Sequence, residues 1–392
     1  MTIKPMVRNN ICLNAHPAGC QAEVERQIEY AREKLSREGG PAPRLALVIG
    51  CSSGYGLASR IACAFGYKTA TAGVSFEKEP SEKHSGTPGF YNNLAFDNAA
   101  KKAGVAAITI NGDAFSDAVK AETAKALREA AARANAPAKV DLIVYSLASP
   151  VRTDPKTGVL YKSVIKPIGA PFSGVTLNIM DGTMQTTTAE SATEEEIRDT
   201  IKVMGGEDWE LWMEALEKEG LLGANTQTVA YTYIGPEHSW PIYKNGTIGR
   251  AKEDLERAAA EINKKYDINN AWISVNKALV TRSSAVIPVI PLYISCLFRV
   301  MKEKGLHEGC IEQIVRLYRN RLYREDSSNV PVDKDGRVRL DDWEMREDVQ
   351  NEVNNKMKIV TLENVYRETD IAGFKHDFLS AHGFDVEGVN YE

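Results

Sequence analysis

Tyr243 and Lys252 stand nine residues apart in Tyr243-Lys244-Asn245-Gly246-Thr247-Ile248-Gly249-Arg250-Ala251-Lys252, shortly after Tyr233-Ile234-Gly235-Pro236. A phenol beside an ammonium is an acid with a built-in means of lowering its pKa. At an effective dielectric of ~20, a lysine about 6 Å from a phenolate favours it by roughly 3 kcal/mol, or about two pKa units. A hydride-transfer enzyme needs such an acid where charge develops on its substrate, and the same lysine can hold ribose hydroxyls. Spacing sets a condition. A separation of nine residues turns an α-helix through about 900°, so on one continuous helix the two side chains would point in opposite directions. Cooperation requires Tyr243 to lie ahead of the regular helix, and Asn245-Gly246 supplies a break. Two unrelated surface residues would show the same spacing.

A second group of residues suits a phosphate. Gly50-Cys51-Ser52-Ser53-Gly54-Tyr55-Gly56 follows the apolar run Arg44–Ile49 and precedes a helical stretch, Leu57–Phe65. G-x-x-x-G-x-G is the spacing found in short-chain dehydrogenases, not the G-x-G-x-x-G of other Rossmann folds. Glycines let the chain turn tightly and approach a pyrophosphate, while the helix N-terminus offers N–H groups and partial positive charge. Phe76-Glu77 comes 21 residues after Gly56. A carboxylate there can accept from the adenosine ribose and repel a 2′-phosphate, which favours NADH over NADPH. Asp113-Ala114 is placed to meet an adenine edge. Each has a plainer reading: an ordinary βα turn, a solvated trio Glu77-Lys78-Glu79, and a turn residue at Asp113.

These residues need a scaffold. Short apolar runs at Arg44–Ile49, Thr69–Ser75, Gly104–Ile110, Val140–Tyr145, Thr228–Ile234 and Ala271–Val275 read as six buried strands. They do not alternate and are separated by helical stretches, one of them Asp117–Asn135 with Asp117 as its N-cap. That pattern implies a parallel sheet covered on both faces. Pro150 to about Glu219 breaks the rhythm: it is rich in Thr, Gly and Pro, holds Glu194-Glu195-Glu196, and carries a helical piece at Glu207–Leu222. The expected fold is α/β, an enlarged Rossmann-type doubly wound parallel sheet, short-chain-dehydrogenase-like, with a substrate lid insertion. We expect one enlarged domain over 1–392. Its NAD-binding core spans 44–290 and contains a lid-like insertion at 150–225; a helical C-terminal segment, 291–392, carries a hairpin-like turn at Val332–Val338.

The 392 residues are 43% hydrophobic, enough for a sizeable core, and 48 basic against 53 acidic residues give a net charge of −5. No basic block offers a footprint for nucleic acid or anionic lipid. Cys12, Cys20, Cys51, Cys63, Cys296 and Cys310 are too sparse for a disulfide framework, and no apolar leader precedes them, so a reducing cytoplasmic compartment is expected. The longest apolar run, Ala285–Phe298, is 14 residues with Pro288 and Pro291 inside. A spanning helix wants about 20, so we read that run as core or acyl-pocket wall.

With both motifs in place, the chain resembles the FabV-type enoyl-acyl-carrier-protein reductases and trans-2-enoyl-CoA reductases over nearly all its length. The resemblance rests on Lys4-Pro5-Met6-Val7-Arg8-Asn9-Asn10, His16-Pro17-Ala18-Gly19-Cys20 and Tyr145-Ser146-Leu147-Ala148-Ser149-Pro150. It continues through Val203-Met204-Gly205-Gly206-Glu207-Asp208-Trp209, the Tyr-x8-Lys pair and Val275-Asn276-Lys277-Ala278-Leu279-Val280-Thr281 to Gly383-Phe384-Asp385-Val386-Glu387-Gly388. It implies that NADH gives a hydride to C3 of a trans-2-enoyl thioester, carried by coenzyme A or acyl carrier protein. Tyr243 would then stabilise the enolate oxygen and relay the proton that ends on C2. Lys252 would bind the cofactor and tune Tyr243, and Tyr233 would contact the substrate carbonyl.

The implied cofactor contacts are Gly50, Cys51, Ser52, Ser53, Gly54, Tyr55, Phe76, Glu77, Asp113, Ala114, Leu147, Ala148, Lys252, Leu279, Val280 and Thr281. The resemblance also implies a monomer. The family's C-terminal region has been associated with flavin, but no flavin fingerprint follows residue 300, and that cofactor is not expected. Glu237-His238-Ser239-Trp240-Pro241 matches nothing in the family pattern and is a candidate for shaping acyl-chain preference.

Other motifs read as packing. Cys12, His16 and Cys20 supply three ligands at a spacing that fits no zinc pattern. Asp333-Lys334-Asp335-Gly336 with Glu344 at loop position 12 mimics a calcium loop, but its glycine is misplaced and Arg337 and Arg339 fill ligand positions. A non-catalytic NAD(H)-sensing Rossmann protein is the alternative from another class; a sensor has no need of Tyr243 and Lys252.

Overall fold

The computed structural model describes residues 3–8, 10–36, 40–266, 270–281, 287–326 and 329–391. A small hairpin, β1 (Val7–Arg8) and β2 (Ile11–Cys12), leads into α1 (Pro17–Leu35), where Pro17 takes the first helical position. Asn9 of the opening motif lies outside the described residues. Strands and helices then alternate: β3 (Leu45–Ile49), α2 (Gly54–Ile61), β4 (Ala70–Ser75), α3 (Pro88–Ala103), β5 (Ala107–Asn111), α4 (Asp117–Arg133) and β6 (Val140–Tyr145). The inserted stretch forms two hairpins, β7 (Val151–Thr153) with β8 (Leu160–Lys162) and β9 (Phe172–Leu177) with β10 (Met184–Ala189), followed by α5 (Glu194–Met204) and α6 (Glu207–Lys218). After it come β11 (Leu222–Thr232), α7 (Thr247–Tyr266), β12 (Ala271–Val275), α8 (Ile290–Glu303) and α9 (Cys310–Leu317). The chain ends with β13 (Arg337–Arg339), α10 (Glu347–Ile359), α11 (Val365–Glu368) and α12 (Ile371–Ser380).

Seven strands form the central sheet in the order β13-β12-β11-β6-β3-β4-β5, every neighbour parallel. Every residue of β3 and β4 is buried, as the unbroken apolar runs require of a sheet covered on both faces. One face is packed by α4, α6 and α7 through Leu127, Trp209, Trp212 and Leu255; the other by α1, α2, α3 and α9 through Ile28, Ile61, Phe96 and Ile314. The chain enters at β3, runs outward through β4 and β5, then returns to β6 and the opposite edge. The reversal leaves a crevice beyond the carboxyl ends of β3 and β6, where doubly wound sheets bind ligands. A third apolar cluster joins α8 to α10, α11 and α12 and to Leu177 of β9.

Several expectations are corrected. The turn at 332–338 is no hairpin: it feeds β13, which pairs in parallel with β12 through Ile273↔Arg337 and Val275↔Arg339. Three residues reading Arg-Val-Arg show no apolar run, so this seventh strand leaves no mark in the hydropathy. The N-cap of α4 is Ser116, whose side chain accepts the Val119 N–H, not Asp117. Helix α2 stops at Ile61 and widens into a π turn over Ala62–Gly66, where a Cβ on Gly66 would lie 2.8 Å from the Leu35 side chain. Within the inserted stretch, helix α6 is part of the layer covering the sheet, not of a lid, because Trp209, Trp212 and Met213 are fully buried in the core. Of the run Ala285–Phe298, residues 285 and 286 lie outside the described residues; α8 buries Tyr293, Cys296 and Phe298. Among the described residues, no helix is long and apolar enough to cross a membrane.

Candidate active site

The glycine turn occupies the crevice at the carboxyl end of β3. Gly50 adopts φ +88°, and a Cβ there would stand 2.2 Å from the Ser146 carbonyl oxygen, so the backbones leaving β3 and β6 meet only because Gly50 has no side chain. Gly56 is equally constrained, with a Cβ position 1.9 Å from Gly50 O. Gly54, at φ +54°, faces open space, and the N-cap Ser53 makes no side-chain bond to the α2 N–H groups. That leaves the first turn of α2 as a cradle for an anion. The Cys51 side chain turns inward toward Arg60 and Asn93, so only its backbone belongs to the turn. Tyr55 donates to the Lys277 carbonyl at 3.0 Å, linking α2 to the end of β12.

Glu77 follows β4, half-buried. Its two carboxylate oxygens accept from Ser52 Oγ and Thr87 Oγ1, each at 2.5 Å, and Gly89 leaves room for it. The neighbouring Phe76 is 77% exposed. Asp113 Oδ1 accepts the Phe115 N–H at 3.0 Å, so its side chain caps the turn into α4. Leu147 and Ala148 leave β6 beside Gly50. Leu279, Val280 and Thr281 leave β12, with Leu279 buried and Thr281 exposed.

Tyr243 lies in a turn ahead of α7, which begins at Thr247, so the continuous helix that would separate it from Lys252 does not occur. Gly246 N–H and Gly249 N–H both donate to Tyr243 O, at 3.2 and 3.1 Å. Lys252, one turn into α7, donates to Tyr231 O at 3.1 Å. Burial alone raises the Tyr243 phenol and depresses Lys252 to about 8.

Tyr233, just past β11, meets Tyr243 edge-on. Its hydroxyl lies 3.0 Å from Glu344 Oε1, a residue the sequence marked only as part of a failed calcium loop. Glu344 also receives the Tyr293 hydroxyl at 2.6 Å. Tyr233 therefore shares a hydrogen bond with a buried carboxyl group while its ring lies against Tyr243. Glu237–Ser239 forms a single 3-10 turn, and the His238 ring packs on Tyr293 at 5.0 Å. Gly174 of β9 abuts Val289, at the start of α8, so the second hairpin borders the same apolar cluster.

A family model described as the catalytic region of trans-2-enoyl-CoA reductase matches residues 84–323, and one for the NAD(P)H binding domain of the same enzyme matches residues 2–82. The trans-2-enoyl-CoA reductase [NADH] of Treponema denticola is 58% identical over all of this chain and 98% of its own. The enoyl-[acyl-carrier-protein] reductase [NADH] of Cytophaga hutchinsonii is 51% identical over all of this chain and 96% of its own. The crystal structure of the Treponema denticola reductase in complex with NAD superposes with a TM-score of 0.96, covering 100% of this chain and 97% of that one at 58% identity.

A third model, described as an enoyl reductase FAD binding domain, matches residues 332–392. That segment does not fit a flavin dinucleotide. Val349, Val353, Val365, Phe374 and Phe378 are spent in the α8 core. The first turn of α10 carries Glu347 and Asp348, the latter paired with Arg346, and α12 is capped by Asp370, paired with Lys302, so neither helix start is an open anion site.

Proposed function

This chain belongs to the trans-2-enoyl-CoA reductase family, and on that premise we infer that it uses NADH to reduce the trans-2 double bond of enoyl thioesters to the saturated acyl thioester. The observation that carries this reading is Tyr243, held in the turn before α7 with its ring on Tyr233, at the same end of the sheet as a glycine turn open to phosphate. Bound NADH supplies the hydride that reaches C3. Residues Gly50 to Tyr55 take its pyrophosphate, Glu77 its adenosine ribose, and Asp113-Ala114 its adenine. Leu147, Ala148, Lys252, Leu279, Val280 and Thr281 line the nicotinamide end. Tyr243 donates to the thioester oxygen as charge collects there, the largest catalytic effect in such reactions, and relays the proton that ends on C2. Lys252 would hold the ribose hydroxyls and tune Tyr243.

Short and medium enoyl-CoA thioesters such as crotonyl-CoA are the proposed substrates, with hairpins β7–β10 as the lid. Reduction of enoyl-acyl carrier protein in fatty-acid elongation is the second reading, favoured by the equally complete match to relatives named for that carrier. A cytoplasmic monomer is proposed; the six cysteines, joined by no disulfide among the described residues, support a reducing compartment. The test is consumption of NADH with crotonyl-CoA. Absence of turnover with CoA and carrier-protein thioesters of several lengths would overturn the reading in favour of an NAD(H) sensor. Matched kcat/KM values for the two carriers decide between the substrate classes.

A further inference from the structure

Glu344 lies in the turn after β13, fully buried. Three donors surround its carboxyl group: Tyr233 Oη at 3.0 Å and Tyr293 Oη at 2.6 Å on Oε1, and the Ala278 N–H at 2.7 Å on Oε2. Among the described residues no lysine, arginine or histidine nitrogen forms an ion pair with it. The charge of buried Lys277 acts on Glu344 without a direct bond to it, its ammonium donating to Ala278 O at 3.0 Å, and Asp341 pairs with Arg339. From α10, Gln350 reaches Tyr293 Oη and Glu344 O, and from α9, Gln313 accepts the Lys277 N–H; both side chains are neutral. The titratable groups facing Glu344 are therefore Tyr233, Tyr293, Lys277 and Asp341. Burial pushes the Glu344 carboxyl toward its neutral form, and it outweighs the opposing pull of the Tyr293 and Ala278 bonds and of the Lys277 charge.

The state of Glu344 decides what Tyr233 can do. A phenol has one proton. Against an ionised Glu344, Tyr233 must donate inward and offers only lone pairs to the site. Against a neutral Glu344 the bond reverses: Oε1–H donates to Tyr233 Oη, and the Tyr233 proton is free to turn toward Tyr243 and the crevice. The other two bonds survive the change, because Oε1 can still accept from Tyr293 and Oε2 from Ala278.

We propose that Glu344 is a positioning residue for enoyl reduction, kept as the neutral acid so that it donates to Tyr233 and frees the Tyr233 hydroxyl for the oxygen of the thioester. The proposal rests on the reading of this chain as an enoyl-thioester reductase, and it supplies the donor that Tyr233 otherwise lacks. Glu344 makes no contact with the reacting atoms and acts only through Tyr233.

The test is a double-mutant cycle read as kcat/KM for crotonyl-CoA, with NADH binding and melting temperature followed in each variant. Glu344→Gln keeps the donation to Tyr233 and the acceptance from Ala278, turns the Tyr293 bond around, and is expected to hold activity within about threefold. Glu344→Ala is expected to lose about tenfold or more in the native background and no more than about twofold in Tyr233→Phe. Infrared spectra at neutral pH should show the carbonyl stretch of a buried carboxylic acid that disappears in Glu344→Gln. Equal losses in both backgrounds, Glu344→Gln as damaged as Glu344→Ala, or no acid band assignable to Glu344 would overturn the proposal. If Glu344→Ala fails to fold, the glutamine variant and the infrared band decide it. A native chain without turnover on any enoyl thioester overturns the reductase reading itself, an outcome distinct from unlinked losses in an active enzyme.

Discussion

The ring of Tyr233 meets that of Tyr243 edge-on, centroids 5.1 Å apart and planes at 77°. This is a favoured aromatic geometry, and it locks the end of β11 against the turn that precedes α7. The contact is made by ring carbons, so it leaves the Tyr243 hydroxyl uncommitted to structure. In the described hydrogen-bond network that hydroxyl has no role comparable to the Tyr233–Glu344 bond.

Tyr243→Phe separates the acid from the ring. The aromatic contact survives, so melting temperature and NADH affinity should stay close to those of the native chain. Removing a general acid costs about 10²- to 10⁴-fold, and kcat with crotonyl-CoA should fall into that range. Steady-state kinetics and a fluorescence titration with NADH check the two halves. Undiminished turnover would mean that the acid is another group.

Lys252 should make NADH recognition sensitive to pH. Burial lowers its pKa from the ordinary 10.5 to about 8. In the free enzyme the ammonium is lost as pH rises through about 8, so kcat/KM for NADH should fall above that pH. Lys252→Arg, which stays charged, should move the falling limb upward. The stability effect has the opposite sign. A base with a depressed folded pKa destabilises the fold below about pH 8, and the penalty is relieved as pH rises toward 10.5. Lys252→Met should therefore raise the melting temperature of the nucleotide-free protein at pH 7, by up to ~3 kcal/mol of stability, while weakening NADH binding and turnover. A falling limb unchanged in Lys252→Arg would remove Lys252 from cofactor binding.

Much of this arrangement was legible because it depends on local rules. Apolar runs without alternation mark β3, β4 and β6, and the glycine spacing marks the turn where Gly50 approaches Ser146. The condition that Tyr243 precede its helix could be stated from residue spacing alone, and Asn245-Gly246 named the break. What was hidden depends on contacts distant in sequence. Strand β13 is recognisable only once β12 lies beside it, so nothing placed Glu344 next to Tyr233, 111 residues away. Tyr293 lay in an apolar run that read as a pocket wall, and its hydroxyl gave no hint of a partner. Ser52 and Thr87 reach Glu77 from opposite sides only after α3 folds over β4.

Glu77 should set the choice between nicotinamide cofactors. Its carboxylate is held by the Ser52 and Thr87 hydroxyls, so it cannot swing away from an added 2′-phosphate. Glu77→Gln keeps the size and removes the charge. The ratio of kcat/KM for NADH to that for NADPH is expected to drop by about tenfold, equivalent to ~1.4 kcal/mol. An unchanged ratio would show that NADH preference is set elsewhere.

Gly249 is a position where backbone packing, and not flexibility, makes glycine necessary beside Tyr243. A Cβ there would stand 1.7 Å from Lys244 O and 2.8 Å from Tyr243 O, both backbone atoms that cannot rotate aside. Gly249→Ala must therefore push the first turn of α7 away from the Tyr243 turn, breaking the 3.1 Å bond from Gly249 N–H to Tyr243 O. Gly104, at φ +67° with no atom within 4 Å of its Cβ position, is the control. Alanine there meets only backbone strain, about 1–2 kcal/mol, at the far end of α3. Gly104→Ala should lower the melting temperature and leave kcat alone. Gly249→Ala should lower both, with kcat down at least about tenfold in the folded fraction, because Tyr243 moves with its carbonyl. NADH affinity should fall as well, since Lys252 rides on the same turn of α7. If kcat per folded molecule matched in the two variants, the Tyr243 turn would not need the close approach that Gly249 permits.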